Sequence, residues 1–416
     1  VSAAENAAEA LIELWTEADP GFWVPFRDGV RPDTTLNRDP IPSALLIRKP
    51  REGVLLRTLP WTEEQVGVAR NTVAGQAERR QRVLGALLRK DVEFPVLYEE
   101  GLNALLPHIA EIKHETMLLQ IAAQLAIHDK DVPVALATMA GMANLGDVLR
   151  DEPLLISQIV RADCFGSVLN TAQQLLSHSE LNTADIEVLD RLFERMELGN
   201  AYEMALVTER TFALSIFDSR MRDLDSLGSG GGSIAGGGGF LGSLRLEGFP
   251  LGLSGYFAKD RRFLLAAMEE AVTSARTGTV EGILDAVLHL KAAAGRARTK
   301  PYRIVSGMVL PGTARAGEQL VEYEIRRRCG RAALAVERHA QSHEGEWPAA
   351  LEDCLTEGEG EWLDPFVAEP LRYLRRKGGY VIYSVGPDYE DDSGALVPQA
   401  GRRRGADMGF EVQKDE

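Results

Sequence analysis

Carboxylates are the residues in this chain most able to do chemistry. The stretch GGYVIYSVGPDYEDDSG, Gly378 to Gly394, gathers Asp388, Glu390, Asp391 and Asp392 directly after an alternating run that reads as a strand. Closely spaced carboxylates repel one another, and a hard cation relieves that repulsion. Calcium asks for about six to eight oxygens and accepts backbone carbonyls among them, so Asp388, Asp391 and Asp392 can supply a calcium loop. An EF-hand is excluded, because counting from Asp388 puts Ser393 at position 6, where glycine is needed, and Gln399 at position 12, where a bidentate glutamate is needed. The alternative is a polar turn that closes a hairpin with its carboxylates solvated.

Elsewhere, reactive constellations are scarce. There is no HExxH, no GxSxG and no GxGxxG set between a strand and a helix. His108 and His114 are six residues apart on a helical pattern, which points them to divergent faces, and packing or surface roles are expected for both. A dispersed catalytic set drawn from His108, Glu111, His114 and Glu115, as in a hydrolase or metalloenzyme, is the alternative. His339 and His343 have ligand spacing, but Gly345 and Pro348 are expected to end the helix there. Cys164 and Cys329 continue apolar helical stripes and read as core fillers, while a bridge between Cys329 and Cys354 stays open. The clusters Arg326 to Arg328 and Arg402 to Arg404 read as solvated faces.

A formal charge of -16, from 62 acidic and 46 basic side chains, would repel a phosphate backbone, so nucleic acid is not an expected partner. No apolar run approaches the roughly 18 residues needed to cross a bilayer. The chain starts at Val1 rather than methionine, so an anchor is expected, if at all, before it.

The elements that must position these residues are mostly helices. AAENAAEALIELWTEA carries apolar residues at helical spacing, and the proline- and glycine-rich run after it, up to Pro42, reads as a long loop. Thr62 and Gln65 form a capping-box pattern that opens the next helix. Successive amphipathic segments then run to MALVTERTFALSIF, joined by short turns, which predicts a multi-helix array or bundle. Eight glycines in the twelve positions from Gly228 to Gly239 predict a flexible insertion over 227–243. Two more helices follow, and a longer one is expected from about Ala314 to His339, after Pro301 and Pro311. The period then changes to two: LRYL and YVIYSV alternate across RRKGG as a hairpin, and GFEV at Gly409 to Val412 reads as a third strand. The chain is thus expected to be mainly α, with a helical body over 1–310 and a small α+β module, a long helix plus a short antiparallel sheet, over 311–416.

The motifs of that module, EWP at Glu346 to Pro348, DPF at Asp364 to Phe366, PLRY at Pro370 to Tyr373, and GYVIYSVGPD followed by the Asp391–Asp392 pair, resemble the end of the major pseudopilin of type II secretion systems. The resemblance covers roughly the last quarter and implies a pseudopilin-like fold for it. It also implies calcium held by the carbonyl of Val385 and the carboxylates of Asp388, Asp391 and Asp392. Pseudopilins place this module directly on a hydrophobic N-terminal helix, whereas here some 300 residues come first, and Tyr389 stands where glycine is common. The NAA segment at Asn6 to Ala8 and the stretch DEPLLISQIVR, Asp151 to Arg161, in a helical body with this ending, are similar to large envelope proteins of planctomycete-type bacteria. That resemblance implies a non-enzymatic scaffold or interaction protein in the periplasm or cell envelope, with protein partners and an inner-membrane anchor preceding Val1.

Overall fold

In the computed structural model, which describes residues 6–27, 40–49, 53–56, 58–89, 92–218, 254–354, 362–396 and 407–414, several helices begin where a side chain takes up a free amide. Asn6 caps α1 (Ala7–Ala18), accepting from the Ala8 amide. The expected loop after it instead starts with a helix, α2 (Pro20–Arg27). Proline is tolerated in a first turn, where its missing N–H has no partner to lose. Trp23 then closes on Trp15 at 5.1 Å between ring centroids, burying two large aromatic surfaces against α1. A hairpin that the sequence pattern did not announce follows, β1 (Leu46–Lys49) with β2 (Gly53–Leu56).

The predicted capping box is present: Thr62 and Gln65 bond reciprocally and open α3 (Glu63–Gly75). The helical body continues with α4 (Ala77–Ala86), α5 (Pro107–His128), α6 (Val132–Asp147), α7 (Leu155–His178), α8 (Thr183–Arg195), α9 (Ala201–Asp218), α10 (Ser254–Ala275) and α11 (Val280–Arg298). The glycine-rich insertion over 227–243 and the Arg402 to Arg404 cluster lie outside the described residues.

The long helix, α12 (Ile304–Ser342), begins ten positions before the expected Ala314 and carries Pro311 in its interior. A mid-helix proline deletes one backbone bond, yet packing outweighs that loss here: Leu310 and Ala314, on either side of it, are buried. α12 is the spine of the fold, touching α7, α8, α9, α10 and α11 and then the terminal strands. Position 311 falls inside it, so the helical body and the terminal module share one helix.

Beyond α12, β3 (Leu363–Asp364) pairs with β4 (Glu369–Pro370), and β5 (Arg372–Arg376), β6 (Gly379–Ser384) and β7 (Met408–Gln413) form an antiparallel sheet of order β5-β6-β7. The fold is therefore mainly helical with a small C-terminal antiparallel sheet, and the predicted hairpin and third strand are both found. As the central strand, β6 is buried at all six positions. Gly330 lets α12 slip between α8 and β7: a Cβ there would stand 2.9 Å from the Phe193 ring and 3.3 Å from Phe410. One hydrophobic core runs without a break from Leu11 in α1 to Val412 in β7.

Candidate functional site

The motifs quoted from the last quarter pack on one another. Trp347 meets Tyr380 edge-on at 5.4 Å, and the Tyr373 hydroxyl donates to the Pro348 carbonyl at 3.3 Å. Tyr380 also donates to Glu337 of α12 at 2.9 Å, which ties the central strand to the spine. Asp364, 1% exposed, works as a clamp at the end of β6: it accepts from the Phe366 amide, the Ser384 hydroxyl and the Val385 amide, each at 2.9 Å.

Past Val385 the chain enters the acidic turn. Asp388 is half-buried and accepts from the Glu390 amide at 3.3 Å. Asp391 accepts from the Tyr383 hydroxyl at 3.1 Å and the Ser393 amide at 2.8 Å, and its second oxygen faces Arg372 at 3.2 Å. The exit requires glycine at 394, where φ is +74° and a Cβ would lie 2.7 Å from the Val381 side chain. Beneath the turn lies Asp407, 2% exposed, which accepts from the amides of Asp392 at 3.3 Å and Gly394 at 2.7 Å. Burial pushes the Asp407 carboxyl up; the two amides oppose this, and the neighbouring Asp391 and Asp392 charges reinforce it.

The turn thus brings Asp388, Asp391, Asp392 and the Val385 carbonyl into one short segment. In this arrangement Asp391 is committed to Arg372 and Tyr383, and among the described residues no three acidic, histidine or cysteine side chains converge as a metal-ligand set. Asp364 and Asp407 are the two residues that organise the turn, and the sequence pattern singled out neither. Asp364 sat in plain view within DPF. Asp407 reaches the turn only through tertiary folding.

The four candidates on α5 separate. His108 is fully buried: its Nε2 lies 2.9 Å from Glu152, which also accepts from the Ser157 hydroxyl at 2.9 Å, and its ring stacks on Phe94 at 4.2 Å. Glu111 and Glu115 turn instead to Arg79 of α4, at 3.6 Å and 2.7 Å. Burial raises the Glu115 carboxyl, and Arg79 opposes that rise. The cavity beside Arg79 and Glu115 holds about 10 Å³, room for a single water. His114 is half-buried on the same helix. His339 and His343 stack face to face at 3.8 Å, the first in the last turn of α12 and the second just past it.

Cys164 and Cys329 are buried core residues, as their helical stripes predict, and all three cysteines are free thiols. Burial pushes the Cys164 thiol up to about 12 and Cys354 to about 11, which removes thiolate reactivity near neutral pH. The expectation of a solvated face at Arg326 to Arg328 is overturned for the last two, while Arg326 is half-buried and bonds the Asn170 side chain at 2.6 Å. Arg327 is 3% exposed and bonds Glu324 at 2.8 Å, and Arg328, 8% exposed, bonds Glu281 at 2.9 Å and the Leu363 carbonyl at 3.1 Å. Arg327 and Arg328 face α8, α11 and the sheet, and both charges are matched there. No family model matches the chain, and no curated protein or solved structure matches it either.

Proposed function

We propose that the protein is a non-enzymatic scaffold of the cell envelope that holds protein partners, its helical body and terminal sheet joined through α12. The observation that carries this reading is the burial of the acid and base groups on α5: His108 is held at Nε2 by Glu152, with its ring on Phe94 and its Nδ1 enclosed without a partner, and Glu111 and Glu115 are held by Arg79. A general base must come within about 3 Å of the proton it removes, and a fully buried imidazole between a carboxylate and a phenyl ring offers no such approach. Placement in the envelope, beside secretion-type assemblies, is supported by the likeness of the Glu346 to Asp392 motifs to pseudopilins. The test combines two measurements on the full chain. Ester, phosphoester and peptide substrates, with and without added zinc, should show no turnover, and crosslinking in intact cells should yield discrete protein adducts in the envelope fraction. Turnover abolished by His108→Gln would establish an enzyme instead.

A second reading, calcium at the Val385 carbonyl with Asp388, Asp391 and Asp392, is favoured by the buried Asp407 beneath the turn, since a bound cation would offset the mutual repulsion of these carboxylates. Asp391 would have to release Arg372 to join. Bound calcium at 100 times its Kd would stabilise the chain by about 2.7 kcal/mol, so the melting temperature should rise with calcium over chelator, and Asp388→Ala with Asp391→Ala should remove that rise. Superimposable wild-type melts in the two buffers would refute it.

A further inference from the structure

A second feature of the body is a pocket of about 380 Å³ where the α6–α7 connection, the end of α8 and the start of α9 meet. Its volume falls in the range of small-molecule sites. Arg150, Arg161 and Arg195 line it together with Asn200, Ala201 and Met204 of the α9 N-terminus. Arg161 stands apart. It is 1% exposed, yet its guanidinium is poorly served: Nη2 donates one long bond to the Glu197 carbonyl at 3.4 Å, the Asp147 carboxylate stands 3.5 Å away, and Nε has no acceptor. Asp147 is itself shared, lying 2.6 Å from Arg150 and 3.7 Å from Arg195, so one carboxylate faces three guanidinium groups.

A buried charge is costly unless it is paired and fully hydrogen-bonded, and a guanidinium with five donors in a planar fork matches a carboxylate or phosphate. The start of α9 adds to the same demand. The Met204 amide bonds the Asn200 carbonyl at 3.0 Å and the Ala201 amide bonds the Leu198 carbonyl at 3.2 Å, and with Asn200 and Ala201 on the pocket wall the positive end of the helix dipole lies at the pocket. The Phe165 ring lies 5.2 Å from the guanidinium carbon and adds a cation–π contact to Arg161.

We propose that this pocket binds a small ligand through an oxyanion, a carboxylate or a phosphate, seated on the Arg161 guanidinium and the N-terminus of α9. Asp151, Glu194 and Glu197 also line the pocket, and together with Asp147 they set four acids against the three arginines. That balance selects against polyanions and favours a ligand that pairs its oxyanion with a cationic group, as a free amino acid does. The site goes beyond the scaffold reading and stands whether or not that reading holds.

Isothermal titration calorimetry on the full chain tests it, using inorganic phosphate, acetate and L-lysine as probes. Saturable binding is expected with Kd in the millimolar range or tighter, about −4 kcal/mol or better. Lysine binding two- to fivefold tighter than acetate would identify a ligand that pairs its oxyanion with a cationic group, and phosphate binding alone would identify a phosphate ligand. Arg161→Gln should weaken binding at least tenfold, the scale of a charge-assisted hydrogen bond. Arg195→Gln, at a side chain 43% exposed, should weaken it two- to fivefold without altering the melting curve. The absence of saturable binding by any probe up to about 10 mM, or wild-type affinity in a folded Arg161→Gln, overturns the proposal. Should Arg161→Gln fail to fold, wild-type affinity in Arg195→Gln overturns it equally.

Discussion

Glu209 gives the most quantitative test of the helical packing. Leu154 precedes α7 without providing a side-chain cap, and the Leu155 amide, some 54 residues before Glu209 of α9, acts to lower the pKa of that carboxyl. Burial outweighs that pull and pushes the Glu209 carboxyl from 4.5 up to about 7. Between those values the folded chain binds more protons at this site than the unfolded chain does. Its contribution to stability is therefore complete below pH 4.5 and is lost as pH rises through 7. At about 1.36 kcal/mol per pH unit the ceiling is about 3.4 kcal/mol. Glu209 keeps partial contact with solvent, which screens the effect to about 2 kcal/mol. Urea unfolding of wild type and Glu209→Gln at pH 5, 6, 7 and 8 reads it directly, because other titrating carboxylates cancel in the difference. Relative to the variant, the wild type should lose about 2 kcal/mol between pH 5 and pH 8. A difference between the two proteins that stays constant with pH would refute the argument, whatever its size.

Two other perturbations probe the spine and the clamp. Gly317 of α12 lies against α9 and α11 so closely that a Cβ would stand 2.4 Å from Val287 and 2.5 Å from the Tyr202 hydroxyl. Gly317→Ala should cost about 1–3 kcal/mol by overpacking, and a thermal unfolding change under about 0.5 kcal/mol would contradict that packing. Asp364→Ala strips an acceptor from two amides and a hydroxyl together. The expected loss is about 3 kcal/mol or more, with hydrogen exchange at Val385 and Phe366 accelerated well beyond that of α5; unchanged protection at Val385 would remove the clamp from the account.

Local patterns carried the parts of the fold that are local. The alternation of Tyr380 to Ser384 announces β6, and the Thr62–Gln65 spacing announces α3, because period and capping chemistry are properties of a few adjacent residues. α2 escaped because Pro20 and Gly21 read as breakers, whereas the helix is held by a contact eight residues back, Trp23 on Trp15. Pro311 misled in the same way: the expected start of α12 was set by a local rule, and burial of Leu310 and Ala314 overrode it. Asp388, Asp391 and Asp392 were legible as a cluster because they are neighbours in sequence. Asp407, which anchors the amides of Asp392 and Gly394, follows them by fifteen and thirteen residues and carries no local signature.

Buried charge in this molecule follows a consistent rule, and the exception is informative. On α12, Glu324 takes both Arg327 at 2.8 Å and the Leu198 amide at 2.7 Å, Arg328 spans Glu281 and the Leu363 carbonyl, and Arg331 reaches Asp190 at 3.0 Å. Such pairs add little net stability, because desolvation offsets most of their attraction, but any slip of α12 would leave them unpaired, so they set the register of the spine against α8, the α8–α9 turn and α11. Arg161 breaks the rule. It is as buried as Arg327, yet its hydrogen bond is longer and its nearby carboxylate is shared with two other cations. A packing role alone would be filled as well by methionine or leucine, without the cost of a buried charge whose hydrogen bonds are incomplete. A guanidinium kept at that cost, on the wall of a cavity large enough for a metabolite and beside a helix N-terminus, is accounted for by an anion that completes its hydrogen bonds.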